Sequence, residues 1–252
     1  MSVVKYTIQD HVAYITLNRP EKLNAITREM TEKLYQAFSD VRENDEVWAA
    51  IITGEGRSFS TGHDLQEVAD IAPGTPGSTT ALYQCIQEIW KPTIAAINGF
   101  CLAQGAGIAL SCDIRIASER AQFGWPQVKR GIASTSGPCI LAHHLPLNIA
   151  LELLYTGDLI DAQEAKRLNL VNKVVPHERL RDESEQFVRQ ILQNAPLAMR
   201  AIKEIAIRSI DMTMEDRIRF AGLLSAQIQE SEDAKEGLSA FREKRQPVWQ
   251  GR

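Results

Sequence analysis

Two short apolar runs near the start of the chain, VVKYTI (3–8) and VAYITL (12–17), are rich in β-formers, with the polar Gln9-Asp10-His11 between them. Two such runs around a polar break predict a β-hairpin. Asn18-Arg19-Pro20 ends the second strand. From Thr27 the period lengthens: Met30, Leu34, Ala37, Phe38 and Val41 fall on one face of a helix. Trp48–Thr53 and TIAAI (93–97) carry no polar alternation, as expected of strands buried on both faces. A helix is expected over 81–90, and short strands over Asp113–Ala117 and Gln122–Gly124. Residues 72–80, APGTPGSTT, read as a mobile loop. After Ser136 helical periods dominate, over roughly 137–145, 148–155, 162–168, 178–194, 197–210, 214–229 and 232–244. Strands alternating with helices predict an α/β fold. A core domain over 1–195 and a helical region over 196–252 are expected, and no internal repeat is visible.

Two stretches break this pattern with small residues. GRSFSTGHDLQE (56–67) follows the strand AAIIT (49–53). The second, TIAAINGFCLAQGAGIALSCD (93–113), contains its own strand. Each is expected to lead into a helix, whose first turn presents N–H donors and the positive end of the helix dipole. Glycine and alanine let a carbonyl oxygen come close to such donors. Two such turns in one domain suggest a pair of donors for a developing oxyanion, and so chemistry through an enolate or a tetrahedral thioester intermediate.

Composition narrows the partners. The 28 basic and 32 acidic side chains leave a net charge of −4, which gives no support to nucleic-acid binding by bulk charge. Lys129-Arg130 reads as a solvated turn. The four cysteines (Cys85, Cys101, Cys112, Cys139) have no CxxC spacing and no accompanying histidine cluster, so reduced thiols are expected and no metal. MSVVKYTIQD lacks the apolar core of a signal peptide, and no apolar run approaches the ~18 residues of a membrane span. The expected location is the cytoplasm.

The motifs, taken together, carry a resemblance. NRPEKLNAI (18–26), GRSFSTGHDL (56–65), KPTIAAINGF (91–100), GIALSCDIRIAS (107–118), AQFGWPQ (121–127), LYTGDLIDAQEAKRLNLVNKVV (154–175) and EGLSAFREKRQPVW (236–249) follow one another as in the crotonase, or enoyl-CoA hydratase/isomerase, superfamily. The chain resembles that family nearly end to end. The resemblance implies a β-superhelix, or spiroid, of ββα units, with C-terminal helices that assemble a homotrimer or a dimer of trimers. It implies an acyl-CoA thioester as ligand, coenzyme A being part of the substrate and no separate cofactor being needed. It assigns the oxyanion-hole N–H groups to His63 and Gln104, where the family more often has alanine and glycine. It assigns coenzyme A contacts to Lys22, Leu23, Ser60, Gly62, His63, Asp64 and Leu65, with Lys244 toward the phosphates. Trp125 and Thr135 are its acyl-pocket positions.

The family's hydratases use two glutamates as general acid and base. Their equivalents here are Gly107 and Gln127, neither of which can shuttle a proton. Other members place a carboxylate near Thr135, but this chain offers Ser134, Thr135 and Ser136, a cluster that reads as helix capping or as substrate orientation. The candidate proton carriers are then His63, Asp64, His143 and His144. Asp64 reads better as a helix-start residue, Asp113 as structural, and the adjacent histidines as solvent or core. Efficient hydration is therefore not expected. The open alternatives are an acyl-CoA hydrolase or decarboxylase, and an acyl-CoA-binding protein with weak or no turnover.

Overall fold

A computed structural model describes residues 2–67 and 79–252. Most of the expected mobile loop, 72–78, lies outside the described residues. The hairpin forms as β1 (Val4–Gln9) and β2 (Val12–Leu17), antiparallel with Val4 opposite Leu17. Helix α1 (Arg28–Glu43) starts where the sequence places it: the Thr27 hydroxyl accepts the Met30 N–H at 3.2 Å. Its buried face is Met30, Thr31, Leu34, Ala37, Phe38 and Val41.

Three chain segments then repeat one plan. In each, a first strand joins a large sheet and a second, much shorter strand joins a small one. β3 (Ala49–Gly54) is followed by β4 (Ser58–Ser60) and α2 (Thr79–Gln87). β5 (Thr93–Ile97) is followed by β6 (Phe100–Leu102) and α3 (Gln104–Ser111). β7 (Ile114–Ser118) is followed by β8 (Gln122–Gly124). A π-helical turn (Gly137–Leu141) runs into α4 (Ala142–His144), then α5 (Leu147–Thr156), β9 (Ile160–Asp161), α6 (Ala162–Arg167) and β10 (Lys173–Val175). The large sheet has the order β1-β2-β3-β5-β7-β10 and the small one β4-β6-β8-β9. From β2 to β10 the large sheet is parallel. This is an α/β superhelix of ββα units.

The large sheet is covered on both sides, as parallel sheets require. Ala13, Ile15, Ala50, Ile52, Ala95, Ile97 and Ala117 face the main core with α1, α2 and α3. The alternate positions Val12, Ala49, Ile51, Ile94, Ala96 and Ile116 pack with Leu180 and Val188 of α7 (Leu180–Ile191). The chain closes with α8 (Pro196–Arg208), α9 (Met214–Gln229) and α10 (Glu232–Glu243). Lys203 of α8 ties this region to the sheet, its Nζ 2.7 Å from Asp113 Oδ2. The same carboxylate oxygen accepts the Thr93 N–H and hydroxyl at 2.8 and 2.9 Å. Asp113 is thus a structural acid, as its sequence position suggests.

Asn24 is wholly buried at φ 54°, a left-handed conformation that asparagine tolerates better than most residues. Its amide donates to the carbonyls of Glu55 and Ser58 at 3.0 and 2.7 Å, and its Oδ1 accepts the Arg19 N–H at 2.8 Å. It clamps the 18–26 loop to the 56–62 loop. Asn24→Ala takes a partner from three backbone groups, of which only the Ser58 carbonyl keeps another, the Asn98 amide at 3.2 Å, and each lost bond to a buried group is worth about 1–3 kcal/mol. We expect a loss of roughly 2–4 kcal/mol in urea unfolding. A loss below about 0.5 kcal/mol would show that the clamp carries no stability.

Candidate active site

The two glycine-rich turns meet. Gly62 has φ 95°, and a Cβ there would lie 2.7 Å from the Cβ of Ala103 and 3.3 Å from the Gln104 nitrogen. A Cβ on Gly105 would lie 2.6 Å from the Ser60 carbonyl oxygen. Only glycine permits this approach at either position. Ala103 itself holds φ 54° and ψ −117°, a sparsely populated conformation for a residue with a side chain. It turns the chain from β6 into α3, so that Gln104 becomes the first residue of a helix, beside Gly62 and His63.

In the first turn His63 makes a parallel bridge with Ile26, and 65–67 are a turn. The helix expected beyond it falls outside the described residues, and Asp64 opens the turn, its carbonyl accepting the Glu67 N–H at 3.0 Å. Its Oδ2 accepts from Arg19 NH1 at 2.7 Å and its Oδ1 from the Gln66 N–H at 3.1 Å. Those bonds, the arginine's first, hold its carboxyl below the usual range.

A cavity of about 250 Å³ opens over the junction. Its walls include His63, Tyr83, Gln104, Gln127, Thr135 and Ser136. Asp64 and Glu67 also border it. Glu67 Oε2 accepts the Arg28 N–H at 2.9 Å, so its carboxylate sits at the N-terminus of α1. The His63 ring is accessible through the opening, yet the surrounding protein desolvates it and lowers its pKa, which favours the neutral imidazole. The Gln127 Oε1 is a buried acceptor with no hydrogen-bond partner among the described residues.

Several expected site residues stand elsewhere. Trp125 is not on the cavity wall; it is buried behind it, and its indole N–H donates to Ser136 Oγ at 3.2 Å. Ser136 in turn donates to the Ala103 carbonyl at 3.0 Å. The Ser60 hydroxyl is buried between the Asn24 carbonyl, 2.8 Å, and the Gly62 N–H, 3.2 Å, so it shapes the turn and cannot also reach a ligand. Lys22, Leu23, Gly62 and Leu65 lie outside the cavity lining, with Lys22 and Leu65 exposed. Lys244 is the exposed left-handed cap of α10 and does not border the cavity. His143 and His144 are also away from it.

Gly107 does not reach the cavity either, because Tyr83 stands in front of it. A Cβ on Gly107 would fall 2.4 Å from Tyr83 Oη and 2.5 Å from its Cζ. The sequence reading missed Tyr83, since ALYQCIQEIW reads as an ordinary amphipathic helix. Its phenol is buried, and its hydroxyl donates to the Gln104 carbonyl at 3.4 Å beside Ser136. Burial pushes its pKa well above that of a free phenol, so the neutral form persists. Among the described residues no group of three or more His, Cys, Asp or Glu side chains is placed to hold a metal ion, and no helix is long and apolar enough to cross a membrane.

The sequence profile of the enoyl-CoA hydratase/isomerase family matches residues 7–252. The chain belongs to that family. It is 38% identical to (E)-benzylidenesuccinyl-CoA hydratase of Thauera aromatica over 98% of its own length and 99% of the relative's. It is 37% identical to carnitinyl-CoA dehydratase of Citrobacter koseri, over 98% of both chains. Among solved structures, the enoyl-CoA hydratase of Bacillus anthracis superposes with a TM-score of 0.92 at 30% identity, covering 99% of this chain and 100% of that one. That of Mycobacterium tuberculosis H37Rv gives 0.91 at 32% identity over all of both chains. The superhelix is therefore the crotonase fold, and the chain is a family enzyme of the hydratase/lyase type.

The occupied space at Gly107 has a direct consequence. Gly107→Glu must displace a packed tyrosine ring, and overpacking of this kind typically costs about 1–3 kcal/mol. We expect the variant to melt several degrees below the parent. Adding Tyr83→Ala should recover at least half of that loss by vacating the same volume. A single variant as stable as the parent would show that the ring swings aside freely.

Proposed function

We propose that this family member acts on an acyl-CoA whose thioester oxygen is held, as enolate or oxyanion, by the backbone N–H groups of His63 and Gln104. The observation that supports it most is the interlock of Gly62 with Ala103 and Gln104, which sets the two turns side by side at the cavity. Donors fixed in advance where charge develops commonly do more for reactions of this class than any other feature of a site. Coenzyme A then lies along the 18–26 and 56–65 loops, near Lys22, with the acyl group in the cavity against Thr135 and Gln127. Its volume suits the acyl end and not the whole coenzyme.

Proton transfer must run without the family's carboxylate pair. Gly107 has no side chain and Gln127 is an amide. Decarboxylation and thioester hydrolysis draw least on such a pair, because the oxyanion hole supplies much of their acceleration. Loss of both carboxylates equally favours a second reading, an acyl-CoA-binding member with weak turnover. The cytoplasm is the location that fits either reading.

Calorimetric titration should detect acetyl-CoA and free coenzyme A; no heat from folded protein at high concentration would reject the acyl-CoA reading. Hydration of crotonyl-CoA, followed by loss of enoyl-thioester absorbance, should be at least about 10²-fold below a median enzyme turnover of roughly 10 s⁻¹, since each positioned acid or base is worth about 10²–10⁴-fold. Ordinary hydratase rates would refute that assignment of Gly107 and Gln127.

The C-terminal helices favour assembly. No residue of α9 is fully buried. Along one face of this helix Ile218 is 66% exposed, while Ala221, Leu224 and Ile228 are half-buried. Ile202, Ile210, Leu238 and Phe241 are more than 60% exposed. Apolar surface on this scale marks an interface. We propose a homotrimer or a dimer of trimers. Light scattering should give three or six times 28.1 kDa, and a monomer mass would reject it.

A further inference from the structure

Several reactions of a thioester enolate end by placing a proton on the substrate's α-carbon. Water addition to an enoyl thioester and carbon dioxide loss from an α-carboxy thioester share that last step. The resemblance places one of two proton-carrying glutamates at position 107, on α3, but this chain has only a glycine there. The space is not empty. It is filled from α2 by Tyr83, a titratable side chain that lines the cavity and reaches the first turn of α3.

Resting on the acyl-CoA reading above, we infer that the Tyr83 hydroxyl is the proton donor to the substrate α-carbon, standing in the volume that a side chain at position 107 would take. Three contacts fix its place. The oxygen falls 2.4 Å from where a Gly107 Cβ would be. The hydroxyl bonds the carbonyl of Gln104, the residue whose N–H is assigned to the oxyanion hole. Ser136 and Gln127 border the same cavity as its ring. At 3.4 Å the bond to Gln104 is long for an O–H donor, so turning the proton toward a carbanion costs little. The neutral phenol is a donor and not a base, which suits a step that begins from an enolate.

In that step the enolate's C=C electron pair forms the new Cα–H bond and the thioester C=O is restored. The Tyr83 O–H bond breaks, and the phenolate regains its proton from solvent water entering through the open mouth of the cavity. No oxidant or further reactant is needed. Ser136, held by Trp125 and Ala103, is a positioning residue that keeps the phenol against α3.

The test uses binding, so it does not depend on knowing the acyl group. The probe is a dethia-CoA analogue in which CH₂ replaces the sulfur and a carboxylate replaces the enolate, its second oxygen standing at the α-carbon. Acetyl-CoA is the ground-state control. In Tyr83→Phe, carboxylate affinity should fall by about 10- to 100-fold, the range for a lost hydrogen bond to a charged group, while acetyl-CoA changes less than about two-fold. The phenylalanine keeps the ring, and circular dichroism checks the fold. Should it not fold, 3-fluorotyrosine at position 83, a stronger donor of nearly the same size, should tighten the carboxylate and leave acetyl-CoA alone. Unchanged carboxylate affinity would overturn the inference, as would an equal loss for both ligands, which marks a structural role. If the parent protein binds neither ligand, the acyl-CoA reading itself has failed.

Discussion

Two chain reversals that share no secondary structure are held within van der Waals contact because each sets a glycine against the other. Gly62 lies against Ala103 and Gln104, and Gly105 lies against Ser60. Everything chemical in this protein depends on that contact. It requires Asn24 to tie the 18–26 loop down onto the 56–62 loop. It also requires β4 and β6 to run side by side in the small sheet, Ser58 opposite Phe100. The large sheet supplies rigidity, and the small one sets the distance. A backbone donor pair built this way needs no particular side chain, so histidine and glutamine at positions 63 and 104 would leave the proposed oxyanion hole intact.

How far the sequence revealed this depended on segment length. Helix α1 was legible to the residue because six buried positions in sixteen residues give a clear 3.6 period. The helices over 214–229 and 232–243 also lie where the sequence places them, and the structure caps them with Thr213 and Ser231. The strands β4, β6, β9 and β10 escaped notice because two or three residues carry no period at all. GHDL gave no sign of its partners, because glycine followed by an acid suits a cap as well as a bridge. Here Ile26 pairs with His63 and Arg19 claims the acid, both from the distant 18–26 loop. No local signal encodes those partners.

Tyr83 escaped for a different reason. Its helix position is a core position, with Leu82 and Ile86 buried beside it. Burial and function coincide in this residue, and periodicity registers only burial. The signal lay in the pairing of two anomalies. One is a glycine where the family places a catalytic side chain. The other is a phenol, a large side chain with a polar tip, on the helix packed across from it. Neither is informative alone. Geometry joins them, because the glycine's missing Cβ and the tyrosine's oxygen claim one volume.

That exchange also alters the electrostatics of the cavity. A carboxyl group at position 107 would lie in the same buried volume, and in its ionised form it would repel an enolate forming a few ångströms away. Phenol avoids this, since burial keeps it neutral. Asp64 and Glu67 are held at the cavity's edge by Arg19 and the α1 terminus, so their charge is partly balanced where they sit. His63 is biased toward its neutral form as well. The enolate would then be the one uncompensated charge in the cavity, and the backbone donors would act on it with little competition from fixed anions. Such a site favours reactions in which the negative charge arises on the substrate by bond cleavage or addition and is quenched by a weak acid. It disfavours those in which an enzyme carboxylate must first remove a proton. The same lining leaves one acceptor waiting, the Gln127 Oε1. A water molecule or a hydroxyl on the acyl group would satisfy it, whereas a bare alkyl chain would leave it unpaired at the cost of a buried acceptor.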